Sequence, residues 1–528
     1  MTGPSPAGGK AAATFVSVRV AAMDLGSNSF HLLVADADPD GAVRPVLRDK
    51  EMLRLGSAVA ATGKIGKEAG DAAAETVCRF ADLARSLNAD KVVACATAAF
   101  RQAHDGRALA ERLGRDADVA VRVIDGKEEA RLIFGAVSAS VVLDPSPVMA
   151  LDLGGGSLEI MVGGPRHLLW ADSVDVGVAR VAARFGGASS FSGADFKRLQ
   201  GGVAGALASA GRHAGRLRPR LAVGSSGTLG TLVRLAATRR DGAVPASVNH
   251  LSVTRRQLRS LAAELASMTG RQRAALPGVD GRRADQLPAG AVVAVTAMQL
   301  AGVDTLVGCD WALREGMVLD AVAARRCGPD PRSIRRQSVL DLCQRSRWNE
   351  DHGVKVARLA TQLFDATRCF HHMGEDQRDL LELGGLLHDI GEMVSADGHE
   401  RHGAYVVENA SLRGFQPREV AVLACLVRFH RRGAPKPSFP AYASLSRAER
   451  LRVTHLVALL QVADGLDRSH GGPLEAVDVR LGSGTLELYV DSAAGVDVER
   501  WCLRRKRELF EKTFGRRLEL RCCLEAAG

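Results

Sequence analysis

Two segments of this chain carry the same chemical pattern: Asp24-Leu25-Gly26-Ser27-Asn28-Ser29 and Asp152-Leu153-Gly154-Gly155-Gly156-Ser157. Each Asp ends a short apolar run, residues 18–23 or 148–151, and each is followed by a small-residue turn and a second apolar run. The pattern reads as a β-hairpin whose tight turn exposes backbone N–H groups and hydroxyls beside a carboxylate. Such a turn cradles phosphate, and Asp24 and Asp152 stand where a hydrated divalent cation could be held. Two copies imply two related lobes facing one another across a phosphate-binding cleft.

Strand alternation in the second copy puts Ser157 and Glu159 on one face, so Glu159 is expected to join Asp152 as a second carboxylate for the cation. A third turn, Gly224-Ser225-Ser226-Gly227-Thr228, again follows an apolar run and precedes a helical pattern. Alone it reads as a helix N-cap. With the two hairpins, Ser226, Gly227 and Thr228 become a third wall for phosphate at a helix N-terminus. Glu128 and Glu129 open another helix after the strand end at Ile124-Asp125-Gly126, and taken alone they are acids that complement its dipole.

The elements that must position these groups are layered α/β. Strand-like runs at 18–23, 31–35, 91–94 and 119–124 alternate with Ala-rich helical patterns such as 69–87, and the order restarts at 148. A helix-rich insertion lies near 255–275. The expected division is a lead-in over 1–13, one lobe over 14–145, a second over 146–328, a helical domain over 329–473 and a small α+β module over 474–528. The last is built from strands 477–481, 485–490 and 518–522 and the basic helix 496–514. A turn-rich linker at 327–331 and a Gly-Gly-Pro break at 471–473 mark the two ends of the helical domain.

The bulk numbers fit a large globular enzyme. The 528 residues are 46% hydrophobic and 25% charged, and the net charge of +10 favours an anionic partner. Ten cysteines without CxxC spacing point to a reducing compartment, and no apolar run reaches membrane-spanning length. A cytoplasmic protein with no membrane partner and no specific nucleic-acid partner is expected.

The motif set resembles the exopolyphosphatase/guanosine pentaphosphate phosphatase family. It comprises the two hairpins, Ala96-Thr97-Ala98-Ala99-Phe100-Arg101, residues 126–131, 177–180 and 224–228, and Leu313-Arg314-Glu315-Gly316, in the family's order. Phe100 and Val176 depart from its usual residues. The resemblance implies a duplicated actin-like (ribonuclease H-like) fold and hydrolysis of the terminal phosphate of a polyanionic chain with Mg²⁺, Mn²⁺ being an alternative ion and K⁺ a stimulant. It makes Glu129 the catalytic base and Asp152 and Glu159 metal-associated carboxylates. Ser27, Asn28, Ser29, Gly155, Gly156 and Ser157 become the phosphate cradle, and Arg101 and Arg283 contacts to the chain. Inorganic polyphosphate is the expected substrate and a homodimer the expected assembly. The alternatives are a guanosine pentaphosphate phosphatase (pppGpp to ppGpp), a sensor of polyphosphate or alarmone without turnover, and a sugar kinase or chaperone ATPase on the same fold.

Beyond residue 333 the chain is mainly helical and resembles an HD-like bundle. His352, His388-Asp389 and Asp464 follow the order of an HD phosphohydrolase metal site, with His399, His402 and His430 between them, so these four form a possible second metal site. The last helix and strand hold Arg500, Arg504, Arg505, Lys506, Arg507, Lys512, Arg516, Arg517 and Arg521 against Glu508, Glu511 and Glu519. This run is read as a solvated face that could extend the grip on a long anion. Trp501, Leu503, Phe510 and Phe514, at helical spacing, are expected in a core.

Overall fold

A computed structural model describes residues 17–38, 41–141, 146–165, 167–185, 190–242, 244–322, 331–467, 477–482, 484–490 and 497–522. The lead-in, most of the linker at 327–331 and the break at 471–473 lie outside the described residues. The chain divides into two compact units, one within 1–139, 143–236 and 253–328, the other within 140–142, 237–252 and 329–528. Among the described residues no helix is long and apolar enough to cross a membrane.

The first unit contains two sheets built on one plan. In the first sheet the central strand Val18–Leu25 pairs antiparallel with Ser29–Ala37, which pairs antiparallel with Val43–Met52. On its other side lie parallel strands Lys91–Ala96 and Val121–Val123. In the second sheet Val148–Leu153 pairs antiparallel with Leu158–Gly163, which pairs with Leu168–Val174, and the parallel side continues through Ala222–Ser225 and Thr305–Gly308. A further short strand, Ser252–Thr254, closes that edge. This is the duplicated actin-like α/β fold that the family resemblance implies, and it bears out the two related lobes expected from the repeated hairpin. Strand Val148–Leu153 is buried along its whole length, so it reads as a near-continuous apolar run in which Asp152 is the only charge.

Helices cover the sheets through apolar stripes. Helix Lys67–Ser86 buries Ala73, Val77, Phe80, Ala81 and Ala84, the three-and-four spacing of a one-sided helix. Capping boxes start the helices of the insertion: Thr254 with Gln257 and Thr269 with Gln272. Arg273, fully buried, ties the end of the preceding helix to the loop that follows. Its guanidinium donates to the carbonyls of Leu265 and Met268 at 2.8 Å each and of Ala284 at 3.5 Å.

The second unit is a helical bundle over Pro331–Leu466 with a three-stranded sheet, Val477–Leu481, Thr485–Val490 and Arg517–Cys522, joined through helix Asp497–Phe514. Leu486, Leu488, Val490, Leu503, Phe510 and Leu518 belong to the same apolar core as the bundle helices. Trp501 departs from expectation. It is 53% exposed and carries the Arg505 guanidinium 4.6 Å above its ring, because its position on the helix faces away from Leu503 and Phe510. Several tail cations are also spoken for, Arg500 by Asp497, Arg521 by Glu487 and Glu519, and Lys506 by the buried Asp464.

Candidate functional site

The two hairpin turns are held from behind by helix N-termini in the same way. The carbonyl of Ser27 accepts from Gly56 N–H at 2.7 Å and that of Asn28 from Arg54 at 2.9 Å, at the start of helix Leu55–Thr62. The carbonyls of Gly154, Gly155 and Gly156 accept from Val178, Ala179 and Gly177 at 2.9, 3.0 and 3.2 Å, at the start of helix Val178–Phe185. In a planar trans peptide the N–H of the next residue points opposite to the carbonyl. The N–H groups of Asn28, Ser29, Gly155, Gly156 and Ser157 are therefore turned away from these helices, the concave arrangement that receives an anion.

The turns approach each other closely. A Cβ built on Gly155 would lie 3.0 Å from Asn28 Cγ, and one on Gly156 would lie 2.8 Å from Ser27 Oγ. The third turn joins them: Ser226 adopts φ +97°, a conformation rare for a non-glycine residue, and a Cβ on Gly227 would overlap the Arg283 guanidinium. Thr228 is buried in the first turn of helix Gly227–Asp241.

Four carboxylates meet beside the turns. Asp24 and Asp152 end the central strands, and in register Asp152 pairs with Glu159 while Asp24 pairs with His31. Glu159 accepts from the Ser173 hydroxyl at 2.8 Å and from Ser157. Glu129 reaches the group from helix Gly126–Ser140, whose N-terminus is capped by Asp125 Oδ1 accepting from Lys127 and Glu128 N–H at 2.9 and 2.8 Å. Glu128 turns outward to Arg122, at 3.0 Å, whereas Glu129 is buried and accepts from Arg101 Nη1 at 2.6 Å. Arg101 also donates to the Ile124 carbonyl at 3.0 Å, which fixes its fork. A 510 Å³ cavity opens at Arg101, Gly126 and Ser173, so solvent reaches the partners of Glu129 and Glu159.

Burial and mutual repulsion raise these acids. Asp152 is pushed up to about 8 by burial and then by Glu159 and Asp24, and Asp24 to about 6 by burial against the relief of Arg314. Glu129 and Glu159 are raised as well, both chiefly by burial; Glu159 further raises Glu129, and Arg101 partly offsets the shift in each.

Opposite in sign is a cluster of which the sequence had marked only Arg283, as a contact to the anionic chain, and Arg314, within a motif. His31 lies among Arg314, Lys50 and Arg283, which, after burial, hold its ring neutral down to about 2. Burial and Arg283 lower Lys50, and burial lowers Arg283, whose Nε has no hydrogen-bond partner among the described residues. Asp280 stands 3.8 Å from Lys50. Arg314 donates to His31 Nδ1 at 3.4 Å, and Asn28 donates to Gln286 at 2.8 Å. The signal for Arg314 was its place in Leu313-Arg314-Glu315-Gly316; His31, Lys50 and Gln286 gave none.

In the second unit the structure brings His352, His388 and Asp389 together and adds His399 and His430. Asp464 is ion-paired with Lys506, and His402 is not among the grouped residues.

Paired α/β lobes with glycine turns and buried acids at the ends of their central strands define an actin-like enzyme of phosphate chemistry. Residues 33–324 match the Ppx/GppA phosphatase family and residues 334–502 match Ppx/GppA phosphatase, domain III. The chain belongs to the Ppx/GppA phosphatase family. It is 34% identical to exopolyphosphatase 1 of Mycobacterium leprae over 305 residues, 57% of this chain and 89% of the relative. The corresponding Mycobacterium tuberculosis protein is 33% identical, covering 57% and 88%. Among solved structures, an exopolyphosphatase from Cytophaga hutchinsonii is 26% identical with a TM-score of 0.53, covering 58% of this chain and 99% of that one.

Proposed function

We propose that this chain is an exopolyphosphatase that removes orthophosphate from the end of inorganic polyphosphate. The observation that carries this reading is the meeting of four carboxylates, three buried and Asp24 half-buried, with two helix-backed turns and an incompletely neutralised cation cluster in one unit. The curated relatives named exopolyphosphatase support it. The turns would seat the terminal phosphate through main-chain N–H groups, and Lys50, Arg283 and Arg314 would take the anionic chain behind it. Glu129 would orient and deprotonate the attacking water, held in place by Arg101. We place the enzyme in the cytoplasm, where its cysteines stay reduced.

The acid cluster fits a divalent cation. Asp24, half-buried, and Asp152 and Glu159, buried, are carboxylates raised chiefly by desolvation, a donor set of hard oxygens that a dication neutralises. These three would hold Mg²⁺, which when bound supplies positive charge to the phosphoryl oxygens.

The direct test is orthophosphate release from long polyphosphate by purified protein with Mg²⁺; no release from any phosphoanhydride would favour a sensor. Comparing kcat/KM for long polyphosphate and guanosine pentaphosphate with one preparation decides the substrate, and a strong preference for the nucleotide would overturn polyphosphate as the substrate.

Two further outcomes are expected. Asp152→Ala or Glu159→Ala should sharply raise the Mg²⁺ concentration needed for half-maximal rate; an unchanged requirement contradicts their assignment. The ion must displace the protons that Asp24 and Asp152 hold below about 6 and about 8. Mg²⁺ affinity should therefore rise with pH through this interval and level off above it. Titrating Mg²⁺ at a series of pH values checks the sign, and an affinity that falls as pH rises would refute it.

A further inference from the structure

The second unit holds a cluster that the phosphatase chemistry leaves unused. Four imidazoles from four helical segments converge on the Asp389 carboxylate. His352, His388 and His430 are at most 3% exposed and His399 is 6% exposed. Every Nδ1 is committed. His388 faces the Gly385 carbonyl at 2.7 Å, His399 the Ala396 carbonyl at 3.0 Å, His430 the Val427 carbonyl at 2.7 Å and His352 the Asp467 carboxylate at 2.8 Å.

Carbonyl and carboxylate oxygens only accept, so each Nδ1 carries its hydrogen and, in a neutral ring, each Nε2 presents a lone pair. The Nε2 atoms nevertheless face one another in two pairs, His352 with His388 at 3.1 Å and His399 with His430 at 3.2 Å. Facing lone pairs at that distance repel, so something positive must stand at each pair. Asp389 divides in the same way. Its Oδ2 lies 3.5 Å from His352 and 3.2 Å from His388, and its Oδ1 lies 3.1 Å from His399 and 3.2 Å from His430. Each half is a set of two nitrogens and one oxygen whose donor atoms lie within 4.8 Å of one another.

We propose that this cluster is a two-ion transition-metal centre, with one ion on His352, His388 and Asp389 Oδ2, the other on His399, His430 and Asp389 Oδ1, and the Asp389 carboxylate bridging them. Imidazole-rich donors suit Zn, Fe, Ni or Cu rather than Mg. The Nδ1 contacts are the outer hydrogen bonds that fix tautomer and ring direction in such centres. Asp464 lies outside both sets. The Lys506 ammonium, from helix Asp497–Phe514, neutralises it and leaves Asp389 the shared carboxylate of the pair. The alternative filling is a proton in each pair, on one Nε2 and donated to the other.

The test is metal analysis of the full-length protein, purified without chelator and loaded with Zn²⁺ or Fe²⁺. About two tightly held ions per chain are expected, with a metal–metal vector of about 3.5–4 Å in X-ray absorption. His352→Gln and His399→Gln should each leave one ion, and Asp389→Asn should lose both. Less than half an equivalent in the parent protein means that protons fill the pairs, and the proposal falls. A single ion abolished alike by His352→Gln and His399→Gln would overturn the two-ion assignment, as would two ions with no metal–metal vector. The parent's stoichiometry and absorption spectrum decide the matter even where a variant fails to fold. None of these readouts depends on hydrolysis of polyphosphate.

Discussion

Glu129→Gln should lower kcat for orthophosphate release by about 10²–10⁴-fold and leave KM for polyphosphate nearly unchanged. The amide keeps the size of the side chain and an oxygen to accept from Arg101, which now makes a 2.6 Å bond to the carboxylate. What it loses is the ability to take a proton from water. The loss belongs to the chemical step because Glu129 lies in the acid group and not among the cations assigned to the chain. Its neighbour supplies the control. Glu128 points outward to Arg122, so Glu128→Gln should keep the parental rate. Steady-state kinetics on both variants checks the assignment; full activity in Glu129→Gln, or equal losses in the two, would discard it.

Gly177→Ala should destabilise the first unit by about 1–3 kcal/mol and reduce kcat/KM by about 100-fold or more. A Cβ at this position would overlap the backbone of Gly155 and Gly156, and backbone cannot yield as a flexible side-chain tip can. The second turn must then move away from the helix that holds its carbonyls, and its N–H groups turn with it. Gly193→Ala is the matched control, since a Cβ there meets nothing within 4 Å. Denaturant unfolding and kinetics on both proteins test the claim, and a fully active Gly177→Ala would show that the turn tolerates displacement.

The duplicated hairpins were legible because an Asp closing an apolar run before a glycine turn is unusual, and its repetition marks two related lobes. The third strands of the two sheets were not. Val43–Met52 mixes Arg, Asp, Lys and Glu into an edge strand and contains Pro45 at a register shift, so it lacks the apolar alternation of a strand. Which of Glu128 and Glu129 faces inward could be taken only from the resemblance, because first-turn acids look alike in sequence. The cation cluster joins residues from four distant segments, and His31 carries no local mark of that setting. In the tail, Lys506 reads as one charge in a basic run, yet its ammonium is turned onto a buried acid. His399 and His430 were visible but unassigned, since only folding brings their separate helices onto Asp389.

The register that pairs Asp24 with His31 and Asp152 with Glu159 has one more consequence. Doubling a lobe ordinarily yields a site with twofold character, which could receive a linear molecule either way round. Here the two matched positions differ in kind: an acid in one half, and in the other a neutral ring set among cations. On the proposed reading the inherited symmetry is broken at that rung, and the site acquires a head and a tail. The cut end of a repeating anion belongs at the acid pole and its trailing units at the cationic one. After each cleavage the shortened chain has only one direction in which to advance.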